Sequence, residues 1–356
     1  MSDQQQFHGD QPVARRIAVV MMNLGGPDSL EAVRPFLFNL FNDAAIISAP
    51  QPFRWLIAML ISRRRAPVAQ EIYRNLGGAS PLLPNTVAQA EKLEAALTGA
   101  PAVKCFIAMR YWHPFTQEAV EAVKEWEPDR IVLLPLYPQY SVSTTGSSVK
   151  AWTKAVKQAG LEIPTRRVCC YPTEPGFVSA MADLIRPALD EASSSGPPRL
   201  LFSAHGLPKK QVERGDPYQR HVEQSAEAVA AALDMPDLDW LVSYQSRVGP
   251  LEWLKPYTED EIHRAGDDKV PLVVVPIAFV SEHSETLVEL DIEYREEAEK
   301  AGVPHYIRVP TVSTHPYFIE GLANLVSKVL DGDEVLCHEP DPALCLPDLK
   351  TPAVAT

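Results

Sequence analysis

No stretch of this 356-residue chain is long and apolar enough to span a bilayer, which takes about 20 consecutive apolar residues. The best runs, Trp55–Ile61 and Leu272–Val280, fall well short. The start of the chain has no apolar core of a secretory signal, and residues 1–15 read as a disordered polar tail. Basic charge is also scarce: 33 Lys and Arg stand against 46 Asp and Glu, a net charge of −13. A nonspecific grip on nucleic acid needs clustered cations, so nucleic acid is excluded as a partner. The five cysteines (Cys105, Cys169, Cys170, Cys337, Cys345) are odd in number and follow no common metal-site spacing. Cys169 and Cys170 are adjacent, too close for an ordinary disulfide, and in a reducing compartment thiols are the expected state. A nucleotide loop is missing too, because Asn23-Leu-Gly-Gly-Pro27 matches neither G-x-G-x-x-G nor a Walker motif. What these absences leave is a cytoplasmic globular protein with 46% apolar and 22% charged residues.

Strand-like and helix-like runs alternate along the chain. Arg16–Asn23 reads as a buried strand, closed by Gly25-Gly26-Pro27 and followed by a helix that Asp28 or Ser29 could cap. Val103–Met109, Ile131–Leu136, Arg199–Ser203, Trp240–Tyr244 and Val270–Phe279 are further strands. Between and after them, Val87–Leu97, Thr116–Trp126, Gly176–Leu189, Tyr218–Leu233 and Tyr317–Leu330 read as helices. This rhythm predicts an α/β fold with parallel sheets covered on both faces, one sheet per half. The best boundary is Tyr171-Pro-Thr-Glu-Pro-Gly176, which divides the chain into units 16–174 and 175–331. The proline-containing tail, 332–356, is expected to be irregular.

Ligands of open parallel sheets sit beyond the carboxyl ends of the strands. Four segments leave strands at that edge: Leu24–Pro27, Tyr137–Ser143, the turn containing His205, and the stretch containing His283 and Glu285. A histidine and a carboxylate meeting in one crevice can bind a divalent cation and accept protons. Beyond Glu285 come Glu289 and Glu293, each four residues on, which on an α-helix climb about 6 Å per step as one stripe. Apolar residues flank the stripe on both sides, so it is not an ordinary solvated face, and carboxylates so placed raise one another's pKa unless a cation or protons intervene. His283 is placed to orient a partner of the metal. His113, before Pro114, reads as structural.

Several segments resemble ferrochelatases, the family that inserts ferrous iron into porphyrin. They are Leu200-Leu-Phe-Ser-Ala-His-Gly-Leu-Pro208 with Arg214-Gly-Asp-Pro-Tyr218, Asn23-Leu-Gly-Gly-Pro-Asp28, Gly77-Gly-Ala-Ser-Pro81, Arg110-Tyr-Trp-His-Pro114, Tyr137-Pro-Gln-Tyr-Ser-Val-Ser143, Tyr244-Gln-Ser-Arg-Val-Gly-Pro250 and Ser281-Glu-His-Ser-Glu-Thr-Leu287. They fall in family order from about Ile17 to Leu330. The resemblance implies two Rossmann-like domains of chelatase type with a porphyrin cleft between them. It implies His205 and Glu285 as the metal-binding and proton-accepting pair, and Glu289 and Glu293 as an acidic path. Leu24, Arg64, Arg65, Tyr73, Arg110, Tyr111, Tyr137, Ser143 and Trp253 would line the macrocycle or hold its propionates.

The resemblance also implies the partners: porphyrin and Fe²⁺ as substrates, a contact with the enzyme preceding it in heme synthesis, and a monomer or homodimer. The apolar segment 46–61, just before Arg63-Arg64-Arg65, reads either as a core helix or as a lip that touches a membrane; the lip favours protoporphyrin over coproporphyrin. Some ferrochelatases carry a [2Fe–2S] cluster on three C-terminal cysteines and one in the Tyr-Pro-Gln-Tyr-Ser segment. Here that inner position is Val142 and the tail offers only Cys337 and Cys345, so no prosthetic cofactor is expected. Two other readings stay open: a coproporphyrin ferrochelatase, and a tetrapyrrole or metal carrier without catalysis. A cobalt or nickel chelatase is a third rival, although it would not be expected to combine the Ser-Ala-His-Gly-Leu-Pro and Tyr-Pro-Gln-Tyr segments.

Overall fold

The computed structural model describes residues 16–97, 102–332 and 335–337. Among these residues nine strands run in chain order: β1 Arg16–Asn23, β2 Ala102–Met109, β3 Arg130–Pro135, β4 Thr165–Cys170, β5 Arg199–His205, β6 Asp239–Gln245, β7 Leu272–Pro276, β8 Tyr306–Arg308 and β9 Val335–Cys337. They form two sheets, ordered β2-β1-β3-β4-β9 and β6-β5-β7-β8. Every pairing is parallel. This is the two-sheet α/β architecture that the alternating pattern predicts.

Strand side chains alternate between faces, and the core follows that period. From β1, Ile17, Val19 and Met21 enter one apolar cluster, while Ala18, Val20 and Met22 enter another. The second cluster packs on helices Thr116–Trp126 and Ser147–Ala159. The first extends to β5 and β7 through Leu200, Phe202, Val273 and Val275, by way of helices Pro175–Ala192, Tyr218–Leu233 and Pro316–Asp331. One continuous core thus joins the inner faces of both sheets. The outer face of the second sheet, from Leu201, Leu272 and Val274, packs on Ile262, Ala265, Tyr294 and Ala298.

Several details depart from the sequence reading. The first helix begins only at Val33, and Ser29 accepts a hydrogen bond from the Ala32 amide in the turn before it. The tail is not wholly irregular: β9 adds to the edge of the first sheet beside β4. Arg166 fastens it there by donating to the carbonyls of Val329, Leu330 and Gly332, where the last helix ends. The expected tails 1–15 and 338–356 lie outside the described residues. Among those residues no helix is long and apolar enough to cross a membrane.

Candidate active site

His205 is the last residue of β5, and Glu285 begins the helical segment that follows the neighbouring strand β7. Because the two strands are parallel, both residues emerge at the same sheet edge. His205 Nε2 stands 3.5 Å from Glu285 Oε1, and about a third of each side chain remains exposed. Two donors on one ion, each about 2.1 Å away, are separated by about this distance when they subtend roughly 110°.

The tautomers follow from the neighbours. His205 Nδ1 lies 2.6 Å from the Gly206 carbonyl, which can only accept, so Nδ1 carries a proton and Nε2 is the basic atom. The Glu285 amide donates to His283 Nδ1 at 3.0 Å, which puts the His283 proton on Nε2, 3.8 Å from Glu285 Oε2. Burial opposes a charged His205, but the Glu285 carboxylate outweighs it and pushes the imidazole up to about 9. Burial likewise works against an ionised Glu285, yet His205 and His283 bring it down to about 2. His283 titrates below the ordinary histidine range because burial dominates. His205 is therefore the proton-holding group, and His283 accepts from the Glu285 amide and stands beside the carboxylate without a hydrogen bond to it.

The acidic segment is not an α-helix. Glu285–Glu293 is a π-helix that passes into an α-helix at Tyr294. Its wider i→i+5 turn is common at functional sites. Glu289 accepts from Ser246 Oγ, from Gln245 Nε2 at 3.1 Å and from Tyr294 Oη at 3.1 Å. Gln245 ends β6 directly across from His205 in register. Burial and the Glu285 charge raise the Glu289 pKa. Glu293, by contrast, is exposed. The three acids form a ladder running outward from the metal pair rather than one half-buried stripe.

Trp253 covers the other side of His205, its ring centroid 6.5 Å from the imidazole. A Cβ at position 206 would lie 3.0 Å from the Gln245 carbonyl and 3.1 Å from the Trp253 ring, so Gly206 lets the lid residue approach. Leu24 is partly buried, Ser143 is buried in the π-helical turn Val142–Gly146 that follows β3, and Arg64 and Arg65 are exposed on helix Phe53–Arg74. Burial raises Tyr137, which lies near Ser148 and Arg110. Tyr73 is buried and its hydroxyl pKa is pushed up to about 12 by burial, with Ser284 and the Glu285 charge beside it.

Tyr111 departs from its expected role. It is fully buried among Val33, Phe36, Leu37, Ala66 and Tyr73, and its hydroxyl donates to Asp43 at 2.9 Å. It braces the wall and does not present itself to a ligand. Arg110 stays partly exposed and donates to Asp43 at 2.6 Å and to Ser147 Oγ at 2.7 Å. Asp43, which also accepts from Ser147, was not singled out from the sequence: a single acid in a turn carries no pattern. Asp216 stands in the Arg214–Tyr218 segment. Its Oδ2 accepts from Ser141 Oγ, the Val142 amide and Gln211, which locks the Tyr137–Ser143 loop against the second half.

The thiols also depart from expectation. Cys169, Cys170 and Cys337 have sulfurs all within 4.8 Å of one another, a grouping that counting tail cysteines did not anticipate.

A basic imidazole and an ionised carboxylate 3.5 Å apart, at the carboxyl edge of a parallel sheet and backed by an acid ladder, can together hold a divalent cation and accept protons. The fold agrees. SirB from Bacillus subtilis, solved with Fe³⁺, superposes with a TM-score of 0.52 at 12% identity, over 88% of this chain and 95% of that one. The sirohydrochlorin chelatase SirB from Bacillus subtilis subspecies spizizenii, in complex with cobalt, gives 0.52 at 11% identity, over 89% and 96%. The family itself is set by sequence: the ferrochelatase family model matches residues 16–330. The chain is 56% identical to the ferrochelatase of Caulobacter vibrioides over 317 residues, covering 88% of this chain and 90% of that protein. It is 55% identical to that of Phenylobacterium zucineum over 320 residues, covering 89% and 92%. The chain belongs to the ferrochelatase family.

Proposed function

We propose that this protein inserts Fe²⁺ into protoporphyrin IX, releases two protons and forms protoheme, as a lyase that makes nitrogen–metal bonds. The observation that carries the reading is the 3.5 Å approach of His205 Nε2 to Glu285 Oε1. Insertion must strip water from the ion, replace its ligands with four ring nitrogens, and take a proton from each of two pyrroles. Glu285 is a hard oxygen donor that stays ionised, and His205 is a borderline nitrogen donor; this pair suits Fe²⁺ without the permanence of thiolates. Deprotonated His205 Nε2 accepts a pyrrole proton. Glu289, with its raised pKa, is suited to relay that proton outward past Glu293.

Leu24, Arg64, Arg65, Tyr137, Ser143 and Trp253 line the ring site, and the exposed part of Arg110 offers a propionate contact. The protein works in the cytoplasm with its lip on the membrane surface. Large apolar side chains exposed on helix Phe53–Arg74 support that contact: Phe53, Trp55, Leu56, Ile57 and Leu60. Mixing the purified protein anaerobically with Fe²⁺ and either porphyrin, and following the absorbance change, tests the reading. Turnover with protoporphyrin faster than with coproporphyrin is expected. Binding without turnover would make the protein a carrier, and faster turnover of coproporphyrin would reassign the substrate.

A further inference from the structure

Between Glu282 and Asp291 the chain carries both Glu285 and Glu289, and one guanidinium from another strand ties the two ends of that stretch together. Arg308 is the last residue of β8, an edge strand of the second sheet, and only 9% of its side chain is exposed. It donates from Nη1 to Glu282 Oε1 at 2.8 Å and from Nη2 to Asp291 Oδ2 at 3.2 Å. A guanidinium so deeply buried needs charged partners, and its rigid planar fork serves two carboxylates at once. Glu282 precedes the π-helix and Asp291 lies near its end.

Glu282 passes the constraint on toward Glu285. Its Oε1 also accepts from the Thr311 amide at 3.0 Å, and its Oε2 accepts from Thr286 Oγ1. Thr286 Oγ1 in turn accepts from the His283 amide at 3.1 Å, and His283 Nδ1 accepts from the Glu285 amide at 3.0 Å. The turn that presents Glu285 is thus closed by side chains as well as by backbone. From the first half of the chain, Asn85 Nδ2 donates to the Glu282 carbonyl at 3.2 Å and Gln89 Nε2 to the Val280 carbonyl at 2.9 Å. At the far end, Asp291 Oδ1 accepts from Arg295 Nη2 at 2.6 Å, and Tyr306 Oη on β8 donates to the Leu290 carbonyl at 2.6 Å. Most π-helices are single turns, so a run of nine residues needs support from outside itself. Strand β8 supplies it at both ends.

We infer that Arg308 is a positioning residue: its fork fixes the segment so that the Glu285 carboxylate stands where an ion shared with His205 can reach it. The inference rests on the reading of Glu285 as the ion's oxygen donor. Groups that hold a metal ligand in place set its orientation, and losing one costs about 10- to 100-fold in metal affinity.

In an anaerobic assay, Arg308→Gln should raise the KM for Fe²⁺ about tenfold, with a smaller change in kcat and none in porphyrin affinity. Mn²⁺, which thiols hold poorly, should bind the same variant about tenfold more weakly by indicator competition. Arg308→Lys keeps the cation without the fork and should recover part of the loss. Asp291→Asn removes one prong and leaves the guanidinium paired with Glu282; it should fold even where R308Q does not, and show a smaller rise in KM. A brace for stability alone would lower the urea midpoint of these variants with the KM for Fe²⁺ unchanged, and that result overturns the inference. An equal loss of porphyrin binding does the same. In Glu285→Gln, which lacks the carboxylate, R308Q should add nothing to the weakened Mn²⁺ binding; a further loss of the same size would mean that the fork acts elsewhere. If E285Q by itself binds Mn²⁺ as tightly as the unaltered protein, the assignment of Glu285 fails first, and the role of the fork with it.

Discussion

The two charged clusters around His205 and around Asp43 handle charge in opposite ways. On the metal side, His205 and Glu285 face each other part-exposed, with the Glu285 charge holding the His205 proton and a raised-pKa acid behind them. On the other side, Asp43 is closed in by Arg110, Tyr111 and Ser147, and its pKa stays low despite burial because Arg110 and these hydrogen bonds favour the carboxylate. One cluster leaves valences open for a substrate; the other satisfies its charges internally and serves as a frame. A site that must pick up and release an ion needs the first kind of cluster, and it holds its shape because of the second.

Substitutions test this contrast. The largest expected effect is on the open cluster: His205→Ala should lower the rate of iron insertion by about 10²–10⁴-fold. It should leave the denaturation midpoint almost unchanged and porphyrin binding intact by fluorescence. Asp43→Asn should do the reverse, because leaving the largely buried Arg110 without its carboxylate partner costs about 3 kcal/mol of stability by urea titration. If Asp43→Asn instead removed activity with stability intact, the frame would itself be part of the chemistry.

The pH dependence sharpens the same point. His205 holds its proton up to about pH 9, so below that value an entering ion must displace it. Apparent affinity for a redox-inert divalent ion, measured by competition with an indicator, should rise about tenfold per pH unit through neutrality and level off near 9. Asp43→Asn should not move that profile, whereas Glu285→Gln should shift the plateau downward in pH. The smallest expected effect belongs to the lip. Arg54 donates to the Asn42 and Ala49 carbonyls and so ties helix Phe53–Arg74 to the Asp43 turn. Replacing Phe53, Trp55 and Leu60 by serine should weaken partition onto anionic vesicles about fivefold by sedimentation, with turnover of detergent-solubilised porphyrin retained.

Much of the fold was legible because buried parallel strands announce themselves: Ile17–Met22, Leu200–Phe202 and Leu272–Val275 are runs that only a doubly covered sheet accommodates. The metal pair was legible for a related reason, since both residues follow such runs and parallel strands end at one edge. The π-helix was not. Acids spaced four apart fit an α-helix and a π-helix equally well, and the choice depends on tertiary contacts such as the Arg308 fork. Tyr111 misled because its polar tip suggested a ligand contact, while its ring fills the core. The β9 strand was hidden by its length of three residues, and the β4 bulge cannot be seen without its partner strand.

The inner faces of both sheets share one apolar core through helices Pro175–Ala192, Tyr218–Leu233 and Pro316–Asp331. A protein built this way has no hinge between its halves, because prising them apart would wet the centre of the molecule. Freedom to move is left to segments outside that core, such as Ser246–Trp253, which contributes nothing to it.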